Sequence, residues 1–133
     1  MDVLVDSNVI LDVLTEDPTW FSWSSDRLAY QADTNRLIIN PIIYAEVSIR
    51  FRTIEELEEV LDPLVFRKEP IPWEAAFLAG KVFLKYSRRG GSKTTPLPDF
   101  FIGAHALVTG MPLLTRDKKR YRHYFPRLHL IAP

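Results

Sequence analysis

Two short apolar runs constrain this chain most, because each passes at once into a signal that starts a helix. Asp2 to Val5 reads as a buried strand ending at Asp6. Ser7-Asn8 can then cap a helix whose apolar residues Val9, Ile10, Val13 and Leu14 recur at helical spacing until Pro18 stops it. Arg36 to Ile39 is the second run, and Asn40-Pro41 supplies a cap and a first-turn proline. That helix runs through Ile42, Ile43, Glu46 and Val47.

The alternation continues along the chain. Trp20 to Ala32 reads as a helix, and Thr53-Ile54-Glu55-Glu56 has the form of a capping box, with Ile54, Leu57 and Leu61 on one apolar face. Leu64 to Phe66 is a short candidate strand. Pro72 opens a long helix that ends near Gly90-Gly91, and Gly90 to Pro98 is a polar loop. Asp99 starts another helix that ends at Gly110. Leu113-Leu114-Thr115 and Leu128 to Ile131 are the last strands. Strands that alternate with helices predict an α/β fold: a central, mainly parallel sheet flanked by helices on both faces. The 133 residues fit one domain, 1–133, with no repeat and no linker.

Composition narrows the function. The absence of cysteine excludes disulfides and thiolate zinc sites, and it fits a reducing, cytoplasmic setting. No apolar run approaches the length of a membrane span. Met1 to Asp6 carries acids and enters a strand directly, unlike a signal peptide. The zero net charge hides a split: residues 1–80 hold 6 basic and 15 acidic residues, whereas residues 81–133 hold 11 basic and 2 acidic ones. Either the halves pair with each other, or the basic half offers a surface to an anionic partner. The two acids in the basic half are Asp99 and Asp117.

In a parallel sheet, ligands gather outside the carboxyl ends of the strands, near the point where strand order reverses. Asp6 ends the first strand, Asp117 lies two residues past Leu113-Leu114-Thr115, Asp99 opens a helix and Glu46 sits about two turns into the helix after the second strand. Each has an ordinary alternative: a cap, a favourable charge at a helix N-terminus, a solvated residue, a partner for nearby arginines. Four carboxylates on one rim would repel one another, and a hard divalent cation such as Mg²⁺ or Mn²⁺ removes that penalty. Arg88, Arg89 and Lys93, with Arg116, Lys118, Lys119 and Arg120, are candidates for a phosphate track.

The stretches VLVDSNVILD, INPIIYAEV, PLPDFFIGAHAL and LLTRDKKRY resemble, in order and spacing, the four motifs of PIN-domain ribonucleases, over Asp2 to about Tyr124. Size and motif order resemble the VapC-type toxins of toxin–antitoxin pairs. The resemblance implies a PIN-like fold and places Asp6, Glu46, Asp99 and Asp117 at the four family acids. It implies that Asn8 supports the metal site and that Thr115 orients the last acid or a water. It further implies Mg²⁺- or Mn²⁺-dependent endoribonuclease activity leaving a 3′ hydroxyl and a 5′ phosphate. A homodimer and a cognate antitoxin lying across the active groove are implied with it.

Three rivals are weaker. A receiver domain needs an acidic pair after the first strand and an Asp at the end of a middle strand. A phosphatase of the haloacid dehalogenase type needs Asp-x-Asp where this chain has Asp6-Ser7-Asn8. A non-catalytic PIN-like domain that binds RNA or protein would not need all four acids. His105 lies six residues past Asp99, off its helical face, and reads as structural. Trp20, Phe21 and Trp23 read as packing residues, or as part of an antitoxin groove. Asp12 reads as an exposed helix residue.

Overall fold

The computed structural model describes residues 1–92 and 97–133. In chain order its elements are β1 (Asp2–Val5), α1 (Ser7–Leu14), α2 (Phe21–Thr34), β2 (Arg36–Ile39), α3 (Pro41–Ser48), α4 (Ile54–Val60), β3 (Phe66–Lys68), α5 (Trp73–Arg88), α6 (Pro98–Thr109), β4 (Leu113–Leu114), α7 (Lys118–Tyr124) and β5 (Leu130–Ile131). The strands form one sheet in the order β3-β2-β1-β4-β5, with every pair parallel. A receiver domain has the order 2-1-3-4-5, so topology removes that rival.

The centre of the sheet is continuous apolar sequence because both of its faces are covered. Val3, Leu4 and Val5 of β1, Leu37 to Ile39 of β2, and Leu113 and Leu114 of β4 are all fully buried. Each such side chain contributes about 1.5–3 kcal/mol of burial. With the right-handed crossovers usual between parallel strands, the β1-to-β2 and β2-to-β3 connections carry α1 to α4 over one face, and the β3-to-β4 and β4-to-β5 connections carry α5 to α7 over the other. Packing of α1 on α2 and α3, and of α6 on α5 and α7, agrees with this division, while α3 also meets α6, where Asn40 reaches His105. Strand order reverses at β1, whose neighbours are β2 and β4, so the rim above β1 and β4 is the expected ligand crevice.

Most boundaries follow the local signals. Asn40 caps α3 through its side chain, which accepts the Ile43 N–H at 2.9 Å. Gly90 and Gly110 take positive φ (86° and 74°) at the ends of α5 and α6. The Thr53 hydroxyl accepts the Glu56 N–H, but Glu56 turns to the Arg52 N–H, so only half of the capping box forms. Ile54 is exposed, unlike Leu57 and Leu61.

Two strand expectations are corrected, and one helix is new. The strand expected at Leu64 to Phe66 begins only at Phe66. Asp62 Oδ1 accepts the Leu64 N–H at 2.9 Å and holds a turn, which leaves Leu64 94% exposed. The last strand is shorter than Leu128 to Ile131, covering Leu130–Ile131. The basic run after Asp117 forms α7, a helix the apolar pattern does not mark: Tyr121 is its one buried residue.

Candidate active site

Asp6 is the centre of the site. It stands where β1 passes into α1 and is 3% exposed, yet its side chain makes no cap bond to the helix behind it. Side chains from elsewhere in the chain hold it instead. The Thr115 hydroxyl donates to Asp6 Oδ2 at 2.8 Å, and Asn8 Nδ2 donates to the same oxygen at 3.2 Å. Asn8 Nδ2 also donates to Thr115 Oγ1 at 3.2 Å, which closes a three-residue ring. Asn8 thus braces both Asp6 and Thr115. Thr115 orients Asp6 with its hydroxyl; its link to Asp117, the acid it was expected to orient, is the Asp117 N–H donating to Thr115 Oγ1 at 3.1 Å.

Two more acids meet Asp6 through shared hydroxyls. The Ser7 hydroxyl donates to Glu46 Oε1 at 2.8 Å and lies 3.5 Å from Asp6 Oδ1. The Tyr121 hydroxyl donates to Asp99 Oδ1 at 3.2 Å and also faces Asp6. Burial raises the Asp6 carboxyl to about 7, and the negative charges of Asp99 and Glu46 add to this against the Thr115 and Tyr121 hydroxyls. Burial, and then the charge of Asp99, likewise raises Glu46 against the Ser7 hydroxyl. The Tyr121 phenol is held far above its usual range by burial and by the two acids, so it stays a donor. Neither Ser7 nor Tyr121 stands out in the sequence, since both are recognised only by partners distant in the chain.

Asp117 differs from expectation. Its side chain takes two of the ordinary alternatives instead: it caps α7 by accepting the Arg120 N–H at 3.4 Å, and its Oδ2 lies 3.4 Å from Arg120 Nε. Arg120 Nη1 also pairs with Asp99. A carboxylate at the start of a helix attracts the nearest mobile cation, and Arg120 is one turn away. The structure therefore links Asp6 to Glu46 through the Ser7 hydroxyl and to Asp99 through Tyr121, and joins Asp117 to them through Thr115 and Arg120.

Asp12 and Arg116 also depart from expectation. Asp12 is buried, and it accepts the Ser24 hydroxyl at 2.7 Å and Arg116 Nε at 2.9 and 3.1 Å. The Arg116 guanidinium lies 5.6 Å from the Trp20 ring centre, and the Arg116 N–H bonds Asn8 Oδ1. Arg116, expected on a phosphate track, is committed to anchoring the strand end that carries Thr115. His105 is structural as expected: it is buried in a hydrogen bond with Asn40. Trp20 and Trp23 pack edge to face.

The basic residues divide. Lys118 and Lys119 are exposed on α7 beside a cleft of about 800 Å³ lined by Asp117, Arg120, Arg122, His123 and Tyr124 as well. Arg88 and Arg89 are exposed at the end of α5, and Lys93 lies outside the described residues. Among the described residues, no three His, Asp or Glu side chains lie close enough together to hold a metal ion. The donor set is nonetheless all oxygen, which suits Mg²⁺ or Mn²⁺. A carboxyl as buried as Asp6 beside two more acids is the arrangement a hard cation relieves. No helix among the described residues is long and apolar enough to cross a membrane.

A parallel α/β sheet with a carboxylate cluster at its switch point defines a class of acid-centred α/β domains. The chain belongs to the PIN domain family, whose model matches residues 3–126. Solved structures resemble it over nearly its whole length. A chain of VapBC2 from Rickettsia felis, solved bound to a DNA fragment from their promoter, aligns with a TM-score of 0.75 at 19% identity, covering 100% of this chain and 99% of that one. VapBC-1 from nontypeable Haemophilus influenzae gives 0.71 at 18% identity, covering 99% and 98%. FitAcB from Neisseria gonorrhoeae gives 0.65 at 18% identity, covering 96% and 95%. Comparison with curated proteins gives no match.

Proposed function

We propose that this protein is a metal-dependent endoribonuclease and the toxin of a VapBC-type toxin–antitoxin pair. The observation that carries the reading is the convergence of Asp6, Glu46 and Asp99 at the switch point, with Asp6 buried and its carboxyl raised to about 7. In this reading Asp6, Glu46, Asp99 and Asp117 hold Mg²⁺ or Mn²⁺. When bound, such a cation polarises the phosphoryl oxygens and acidifies water. Thr115 and Asn8 fix the Asp6 carboxylate, and Ser7 fixes Glu46. In this reading Glu46, half-buried and raised, takes the proton of the attacking water at its free oxygen. Lys118, Lys119, Arg88 and Arg89 receive the RNA phosphates in this reading, and Lys93 belongs to the same group. An antitoxin segment and a second copy of the chain are the protein partners in this reading, and the likeness to VapBC structures supports the first of them.

A non-catalytic PIN domain is the competing reading, favoured by the pairing of Arg120 with Asp99 and Asp117. An RNA cleavage assay with the antitoxin-free protein separates them. Wild type is expected to cut RNA with Mg²⁺ or Mn²⁺ and not with EDTA, and Asp6→Asn and Asp99→Asn each to lose at least about 100-fold. No cleavage with either cation, or cleavage that survives both substitutions, overturns the nuclease reading. Growth arrest on expression, relieved by a co-expressed antitoxin, tests the toxin assignment.

A further inference from the structure

We propose that Arg120 is an internal counter-ion that competes with a divalent cation for Asp99 and Asp117, and leaves them when the site loads. This rests on the reading above, in which those acids hold a cation. Among the described residues, Arg120 is the one that bridges the two acids: Nη1 pairs with Asp99 Oδ2, and Nε lies 3.4 Å from Asp117 Oδ2. The two carboxylates come from different elements, the first turn of α6 and the residue that caps α7. A forked guanidinium suits that span, since it donates along two directions at once. A hard cation needs the same oxygens, so the two occupants exclude each other.

The geometry also makes the exchange easy. The Arg120 side chain is 55% exposed, so it reaches solvent without losing a buried environment. Its backbone stays fixed, because Asp117 Oδ1 accepts its N–H. A displaced guanidinium therefore remains beside the acids, within reach of a phosphate bound next to them. Asp6 and Glu46 show the contrast: neutral hydroxyls and an amide hold them, and no cationic side chain among the described residues pairs with either. Lys118 and Lys119, on the same helix, pair with neither Asp99 nor Asp117 among the described residues.

Mn²⁺ binding without RNA, followed by electron paramagnetic resonance or calorimetry at low salt, tests this. Arg120→Ala is expected to bind Mn²⁺ about five- to tenfold more tightly than wild type, and Arg120→Lys to fall between them. Lys119→Ala makes the same charge change one residue away and is expected to stay within about twofold of wild type. Equal tightening by Arg120→Ala and Lys119→Ala, or none by Arg120→Ala, overturns the counter-ion role while leaving the cation site intact. If neither wild type nor Arg120→Ala binds Mn²⁺ more tightly than Asp99→Asn, the cation-site reading itself fails and the counter-ion role falls with it.

Discussion

Replacing Asp6 by Asn is expected to stabilise the cation-free protein at alkaline pH, although it removes the central acid. Asp6 is raised from 3.8 to about 7 in the fold. A raised carboxyl takes up protons on folding, so its stabilising contribution is fully present below 3.8 and is lost as the pH climbs toward 7. Linkage over that interval amounts to about 2.5 kcal/mol between pH 5 and pH 8. Asn carries no such titration. Its oxygen can take the place of Oδ2 and accept from Thr115 and Asn8, while its amide faces the Ser7 hydroxyl. A 133-residue domain unfolds with an entropy of about 0.28 kcal/mol/K, so the Tm of Asp6→Asn should rise against wild type by roughly 9 °C from pH 5 to pH 8. Thermal melts in EDTA across that range measure it directly. Saturating Mn²⁺ at pH 8 should then narrow the gap by stabilising wild type alone. A Tm difference between variant and wild type that is the same at pH 5 and pH 8 would refute the reasoning.

Three further outcomes follow from single contacts. Tyr121→Phe removes the hydroxyl shared by Asp6 and Asp99 and is expected to cost about 1 kcal/mol in denaturant titrations without metal. Asp12→Ala strands Arg116 and Ser24 and should cost about 2 kcal/mol, discounted because Arg116 is partly exposed; chemical denaturation checks this. The double variant Lys118→Ala, Lys119→Ala should leave Mn²⁺ binding near wild type while weakening RNA binding at low salt. Its slope of log affinity against log salt should fall by about 1.4 in a filter-binding series.

How far the sequence reveals this molecule depends on the range of each interaction. β1, β2 and their following helices are legible because strand, cap and first turn are adjacent: Asn40 and Ile43 are three residues apart. β3 is misplaced by two residues because apolar Leu64 and Val65 are drawn into a turn that Asp62 sets, and the pairing partner of Phe66 is the distant Leu37. α7 escapes notice because six of its seven residues face outward or sideways, and only Tyr121 marks its buried side. The four acids can be placed on one rim from their positions after strands and at helix starts. Which of them meet is not legible, because Ser7 reaches Glu46 across 39 residues and Thr115 reaches Asp6 across 109. Asp12 misleads for the same reason: an acid on a helix reads as solvated until Ser24 and Arg116 arrive from elsewhere.

The central claim is that the acids at the switch point form one cation site. Crystals grown without divalent ions and soaked in MnCl₂ would locate the ion by anomalous scattering. The account predicts a peak in contact with the Asp6 and Asp99 carboxylates, with Arg120 turned away from Asp99. A peak elsewhere, or none at the Asp6–Asp99 pair at saturating Mn²⁺, would contradict it.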